Sequence, residues 1–249
     1  MSLEVIETVD AIRERLQPVR LSDDLMGLVP TMGAFHEGHL SLIREARQDC
    51  ETVVVSVFVN PHQFGPGEDF RTYPRTLESD LAHCEELGVD LVFTPSVKEM
   101  CPAEQLTFVE VDRLGDHLCG LYRKGHFKGV ATVVLKLLNI VQPDRAYFGE
   151  KDAQQLAIVR RMVHDLNLQV QIVPLSIVRE SDGLAMSSRN VYLTPAERQR
   201  ARALPESLNL AAQLADAGER DARVIRDRVI EHLRTAGGVQ PQYVVWFGC

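Results

Sequence analysis

The chain has 249 residues, 45% hydrophobic and 25% charged, with a formal net charge of -8, the size of one large domain or one large and one small. The acidic balance argues against nucleic acid or an anionic membrane as the main partner, since both select basic surfaces. No apolar run reaches the roughly 18 residues of a membrane span, the acidic N-terminus MSLEVIETVD has no signal-peptide core, and the cysteines (Cys50, Cys84, Cys101, Cys119, Cys249) form no C-x-x-C pair, which suits a reducing cytoplasm.

In chain order, TVDAIRERLQ reads as a first helix, LMGLVP as a short strand and LSLIREARQ as an amphipathic helix. Thr52 to Asn60 (TVVVSVFVN) is β-branched and apolar on both faces, the mark of a central parallel strand. TLESDLAHCEELG predicts a helix closed by Gly88, VDLVFTP a strand stopped by Pro95, and TFVEV a further strand. VATVVLKLLNIVQ fits a buried helix or a strand by periodicity; its length and the interruptions at Lys136 and Asn139 favour helix. RAYFGEKD runs from strand into loop, AQQLAIVRRMVHDLN is helical and LQVQIVPLSIV is a strand. Past about Thr194 the Ala/Arg-rich PAERQRARALPESLNLAAQLADAG and ARVIRDRVIEHLRTAG are helical, and QYVVWFGC is strand-like. This alternation predicts an α/β fold, a parallel sheet with helices on both faces, which binds ligands beyond the carboxyl ends of its strands. A boundary near Pro174 to Val178 would precede a small second domain or lid.

His36 and His39, in VPTMGAFHEGH, admit three readings. As metal ligands they are one residue short of H-E-x-x-H and have no third ligand at a family spacing. As a buried structural pair they would not need a helix-weakening glycine between them. As a phosphate site they account for more residues. The strand ends at Pro30, Gly33 permits a turn, and a helix starting near His36 or Gly38 presents free N–H groups and its positive dipole end. Two imidazoles there can donate to charge building on phosphate oxygens. Lys151 in FGEKD is either a solvated loop lysine or a mobile charge over a phosphate. MSSRN offers two hydroxyls and Arg189, enough for β- and γ-phosphates, or is an ordinary polar turn. Asn60 and Gln63 in FVNPHQF, and Gln155 beside Gln154, are amides suited to a small hydroxy acid, or are structural. Amides hold a carboxylate without the tight ion pair that would blunt it as a nucleophile.

Together PTMGAFHEGH, VSVFVNPHQFGPGEDFRTYPRT, GHFKGVATVVLKLLNIVQPDRAYFGEKDAQQL and DGLAMSSRN resemble, in order and spacing from about Gly27 to Leu193, the pantothenate synthetase (pantoate–β-alanine ligase) family of the H-x-G-H nucleotidyltransferases. The resemblance implies a Rossmann-like doubly wound domain over residues 1–175 that binds nucleotide and pantoate. Residues 176–249 would form a small, mostly helical α+β lid, shortened because QYVVWFGC leaves the family's Y-[VL]-E-[IV]-R-D pattern after Val244. It implies that pantoate and ATP form a pantoyl-adenylate and pyrophosphate, and that β-alanine then displaces AMP to give pantothenate. Met32, Gly33, Ala34, Phe35, His36, Glu37, Gly38 and His39 would form the first nucleotide segment, with His36 at the position of an acid. Gly149, Glu150, Lys151 and Asp152 would form the second, and Met186, Ser187, Ser188 and Arg189 the third. Val178 would touch adenine through its backbone. His36, His39, Lys151, Ser188 and Arg189 would be catalytic, and Gln63, Gln155, Asn60 and Tyr73 would line the pantoate and β-alanine site. Asp80 matches a position associated with Mg²⁺ held through pyrophosphate. His62 stands where the family often has Met. The family implies a cytoplasmic homodimer using ATP and Mg²⁺, with no nucleic-acid or membrane partner. Two alternatives stand beside it: another H-x-G-H nucleotidyltransferase that leaves the nucleotide on its product, or an ATP- and pantoate-binding protein whose short lid impairs turnover. An RNA-binding relative of the class I tRNA synthetases is disfavoured by the net charge.

Overall fold

The computed structural model describes residues 3–101 and 103–246, so Cys249 and the end of QYVVWFGC lie outside the described residues. Its contacts divide the chain into two compact units, Met1–Ile177 and Val178–Cys249. In the first, the elements run β1 (Glu4–Ile6), α1 (Val9–Arg20), β2 (Met26–Thr31), α2 (Glu37–Asp49), β3 (Thr52–Val57), α3 (Leu77–Glu86), β4 (Leu91–Phe93), α4 (Val97–Met100), α5 (Cys119–Tyr122), α6 (His126–Val141), β5 (Arg145–Gly149), α7 (Ala153–Asp165) and β6 (Gln171–Leu175). The second contains α8 (Pro195–Ala201), α9 (Ala203–Asp216) and α10 (Ala222–Thr235).

The six strands form one parallel sheet in the order β1-β4-β3-β2-β5-β6. Burial on both faces explains the near-continuous apolar strands. Val53 and Val55 pack on one side with Ile43 and Cys84, while Val54 packs on the other with Leu137 and Ile158. From β2 the chain moves to β3 and β4 on one side, then crosses to β5 and β6 on the other. The order therefore reverses between β2 and β5, paired through Gly27–Arg145 and Leu28–Ala146, and the crevice above their carboxyl ends is where such sheets take ligands.

Several expectations change. The edge strand β1 has no counterpart in the sequence reading: it is three residues long, and Val5 is half-exposed. The strand expected at TFVEV is not one; the Val109 N–H donates to the Thr132 hydroxyl on α6 at 2.9 Å instead of to a ladder. β3 stops at Val57, three residues early, where the chain turns toward Asn60. The helix expected from Pro195 to Gly218 is two helices that meet at Arg202. Residues 242–246 are not a strand. VATVVLKLLNIVQ lies in α6 except for Gln142, its left-handed cap, and the helix is apolar almost all round because it is buried almost all round.

Candidate active site

The turn from β2 into α2 is built on two consecutive left-handed residues, Gly33 (φ 80°) and Ala34 (φ 54°). Only the first is conformationally free. The Asp80 carboxylate, from α3, accepts the Ala34 and Phe35 N–H groups at 2.9 Å each, and Thr31 Oγ1 accepts the Gly33 N–H at 3.1 Å. His36 then adopts an extended conformation and caps α2. Of the first-turn donors, the His39 N–H bonds the His36 carbonyl at 2.7 Å. The N–H groups of Glu37 and Gly38 have no acceptor among the described residues. They lie at the positive end of a 13-residue helix, a ready anion site.

The two imidazoles stack, with ring centroids 4.1 Å apart, and the Phe35 ring lies 5.5 Å from that of His39. The backbone N–H of His36 donates to Nδ1 of His39 at 3.4 Å. A backbone N–H can only donate, so Nδ1 carries the lone pair and Nε2 the proton. Burial, then the nearby His36 and Lys151, push His39 down to about 3, so it is a neutral Nε2–H donor across the physiological range. The Lys151 effect also shows that the segments after β2 and β5 share one field.

After β5, Glu150–Asp152 form a single 3₁₀ turn leading into α7, with Lys151 Nζ 3.5 Å from Asp152. The adjacent glutamines now separate. Gln154 accepts the Cys119 N–H at 3.1 Å and donates to the Leu114 and His117 carbonyls at 2.8 Å each, so its amide holds the 114–119 loop. The half-buried Gln155 makes no side-chain hydrogen bond among the described residues. If Gln155 holds pantoate, as the resemblance implies, Gln155→Ala raises KM for pantoate at least tenfold with little change for ATP. Gln154→Ala should instead lower stability by about 1 kcal/mol through the loss of its hydrogen bonds to the 114–119 loop. Substrate titrations and urea melts of both variants check this, and equal losses for the two substrates in Gln155→Ala would count against it.

After β3, Asn60 is 2% exposed and caps the Pro61–Gln63 turn by accepting the His62 N–H at 3.0 Å. Its Nδ2 donates to the Gly129 carbonyl at 3.1 Å and to Oε1 of Gln63 at 3.2 Å, which fixes that amide with Nε2 toward Sδ of Met32 at 2.9 Å. The turn lies against α6 at Gly129, where a Cβ would stand 2.1 Å from the His62 carbonyl oxygen. The Gln63 carbonyl is gripped by Nδ1 of His126 at 2.7 Å and Nη2 of Arg123 at 3.3 Å, and Arg123 forks onto Glu68 at 2.6 and 2.8 Å. Burial and the Arg123 charge hold His126 below the usual imidazole range despite its bond to Gln63, and the Arg123 hydrogen bond lowers Glu68. Tyr73 is buried, with its ring 6.0 Å from Phe64. Arg123, His126, Gly129 and Gln154 are site-building residues that the sequence reading did not assign. The GHFKG stretch contains His126 and Gly129, while Arg123 and Gln154 lie outside it.

In the second unit, the Val178 carbonyl accepts the Met186 N–H at 3.0 Å and Arg179 bridges Ala185, so residues 178–186 fold back on themselves. Arg198 of α8 pairs with both Glu180 and Asp182, and Asn190 donates to Glu180 at 2.6 Å and to the Ala185 carbonyl at 3.1 Å. Ser187 caps the turn that carries Ser188 and Arg189, accepting the Arg189 N–H at 3.3 Å. Polar clamps therefore preorganise Met186–Arg189 within its own unit.

Asp80 does not suit direct metal ligation. It is 2% exposed, both oxygens face N–H donors, and the Thr76 hydroxyl donates to Oδ1 at 3.2 Å. No group of three His, Cys, Asp or Glu side chains converges on a common point among the described residues.

The profile of the pantoate-beta-alanine ligase family matches residues 4–247. The chain belongs to the pantoate–β-alanine ligase family. It is 53% identical over 242 residues to the pantothenate synthetase of Thermotoga petrophila, covering 97% of this chain and 86% of the relative. The crystal structure of the pantothenate synthetase from Thermus thermophilus superposes with a TM-score of 0.89 at 48% identity, over 94% of this chain and 83% of that one. The Francisella tularensis pantoate-beta-alanine ligase, solved in complex with beta-gamma ATP and beta-alanine, superposes with a TM-score of 0.81 at 33% identity, covering 93% and 86%. The chain is thus an ATP-dependent ligase that makes pantothenate from pantoate and β-alanine, on a Rossmann-like α/β domain followed by a helical one. The match to this family across almost the whole length disfavours a nucleotidyltransferase of another family or a binding protein without turnover.

Proposed function

We propose that the ligase forms its acyl-adenylate over the carboxyl ends of β2 and β5. Residues 1–175 act as the nucleotide- and pantoate-binding domain and 176–249 as the lid domain. The observation that carries this reading is the state of His39. A carboxylate nucleophile needs no base, so an imidazole held near 3 has no proton to take. What it offers is a fixed Nε2–H donor to negative charge. One pantoate carboxylate oxygen attacks the α-phosphorus; an O–P bond forms as the bond to the pyrophosphate oxygen breaks. His36, His39 and the Glu37 and Gly38 N–H groups meet the α-phosphate, and Lys151 meets the departing charge. Met186, Ser187, Ser188 and Arg189 form the segment that meets the β- and γ-phosphates, and the Val178 backbone touches adenine. Gln63 and Gln155 hold pantoate, with Asn60 locking the Gln63 amide and Tyr73 closing the neighbouring wall. The β-alanine amine, once it has lost a proton, attacks the acyl carbon; C–N forms, C–O breaks, and AMP leaves with the electron pair. Positioning and charge neutralisation supply most of the rate.

Mg²⁺ enters in this reading as the counter-ion of the triphosphate substrate rather than as a resident of a protein site. A homodimer is supported by the large apolar side chains exposed along one segment of the first unit, Leu106, Phe108, Leu121 and Tyr122. No helix among the described residues is long and apolar enough to cross a membrane. Among the described residues Cys50, Cys84, Cys101 and Cys119 are free thiols, which favours a reducing compartment.

The test is isotope exchange. Labelled pyrophosphate should enter ATP in the presence of pantoate without β-alanine, and adding β-alanine should give AMP and pyrophosphate in equal amounts. Lys151→Ala should slow the exchange about 10²-fold, as for loss of one preorganised charge donor. ADP as product would overturn the adenylate, and exchange at the normal rate in Lys151→Ala would overturn the role of that lysine.

A further inference from the structure

We infer that Asp80 is the positioning residue of the phosphate loop: it consumes the Ala34 and Phe35 amides, so that the triphosphate is received one turn later, by α2. The inference rests on the phosphate reading of the His36–His39 segment. Backbone amides in a Gly-rich turn are ordinarily the donors that cradle a phosphate. Here two successive ones point the other way, onto Oδ2 and Oδ1 of a single buried carboxylate. The next amides in sequence without an acceptor are those of Glu37 and Gly38.

The geometry needs this support. Ala34 stands at φ 54°, a left-handed conformation that strains an L-residue, right after Gly33 at φ 80°. Two charge-assisted hydrogen bonds to a single carboxylate offset that strain. A cavity of about 200 Å³ lies beside the turn, bordered by Gly33, Val57, Thr94 and Asp80 itself. The carboxylate is held in turn by the Thr76 hydroxyl at 3.2 Å, and its position in the first turn of α3 places it near that helix's positive end. A Cβ on Gly33 would come within 3.0 Å of both Oδ2 of Asp80 and Cγ1 of Val57, so the turn fits closely against its clamp.

Amide hydrogen exchange on the wild-type protein, with and without a β,γ-nonhydrolysable ATP analogue, separates the possibilities. The Ala34 and Phe35 amides should be protected in the free enzyme and unchanged by the nucleotide, while those of Glu37 and Gly38 gain protection. If Ala34 and Phe35 exchange freely until nucleotide is added, the clamp is wrong. If Glu37 and Gly38 gain nothing, it is the phosphate reading that fails. In Asp80→Asn, the new amide N–H groups oppose one of the two backbone donors. At least tenfold faster exchange at Ala34 or Phe35 is expected, with a roughly 30-fold lower kcat for pyrophosphate exchange and an unchanged Mg²⁺ half-saturation. A raised Mg²⁺ requirement with protection intact would make Asp80 a metal ligand and overturn the inference. The wild-type arm decides the matter even if the variant does not fold.

Discussion

Replacing His39 with alanine is expected to slow pantoyl-adenylate formation by about 10²–10³-fold, the usual cost of one oxyanion donor fixed before the reaction begins. The loss should fall on kcat for pyrophosphate exchange more than on KM for ATP. In the proposed reaction the Nε2–H would meet charge that grows at phosphorus in the transition state, while the Glu37 and Gly38 amides would still hold the ground-state triphosphate. A variant within a few-fold of wild type would remove His39 from the chemistry. The same structure fixes the pH behaviour. With His39 depressed to about 3 by burial and by His36 and Lys151, its ionisation contributes nothing to the rate profile between pH 5 and 9. Its stability effect has a definite sign. Below the ordinary imidazole value of about 6.5 the unfolded chain takes up a proton that folded His39 refuses, so this residue makes the fold lose stability as pH falls from about 6.5 toward 3. His39→Ala should show a shallower acid loss over that window. Nitrogen chemical shifts of the ring should report the Nε2–H tautomer, and an imidazole titrating near 6.5 would contradict the bond from the His36 amide.

How the phosphate turn could be read in advance, and how its clamp could not, follows from the range of the interactions. The end of β2, the freedom of Gly33 and the start of α2 at His36 are local, written within about ten residues and governed by backbone sterics and helix termini. Val53 to Val55 announce a strand buried on both faces because each face has its own core. Asp80 lies 46 residues from Ala34, on the first turn of α3, and in the sequence it is one more acidic residue near a helix start. Gln154 and Gln155 are identical letters on one helix. A step of about 100° around the axis makes Gln154 a loop anchor and leaves Gln155 outside that hydrogen-bond set. Thr107 to Val111 has strand composition, but composition cannot say whether a neighbouring strand exists, and Thr132 satisfies Val109 instead. β1 escapes for the opposite reason: three residues on a sheet edge carry no periodicity.

Gly129→Ala tests how the turn proposed to carry Gln63 to pantoate is seated, because two effects of opposite sign compete there. In a helix interior alanine is favoured over glycine by about 0.8–1.0 kcal/mol, so propensity alone predicts a gain. The new methyl, however, would stand 2.1 Å from the His62 carbonyl oxygen, 2.4 Å from its carbon and 2.8 Å from the Gln63 nitrogen. These are backbone atoms, so no rotamer change relieves them. The helix cannot retreat easily, since Val130, Ala131, Val133 and Val134 of α6 are packed into the larger core. Nor can the turn, without breaking the bond from Asn60 to the Gly129 carbonyl and those from His126 and Arg123 to the Gln63 carbonyl. Overpacking of this kind costs about 1–3 kcal/mol or more, which outweighs the propensity gain. The expected result is a net loss of stability in urea melts together with a KM for pantoate raised tenfold or more and a nearly unchanged KM for ATP, because Gln63 is displaced while the segments after β2 and β5 are not. Gly65→Ala, in the loop just beyond the same turn, meets nothing closer than 3.8 Å and should leave stability within about 0.5 kcal/mol. If Gly129→Ala is as benign as that control, the Pro61–Gln63 turn is not seated on α6, and the placement of Gln63 against pantoate loses its support.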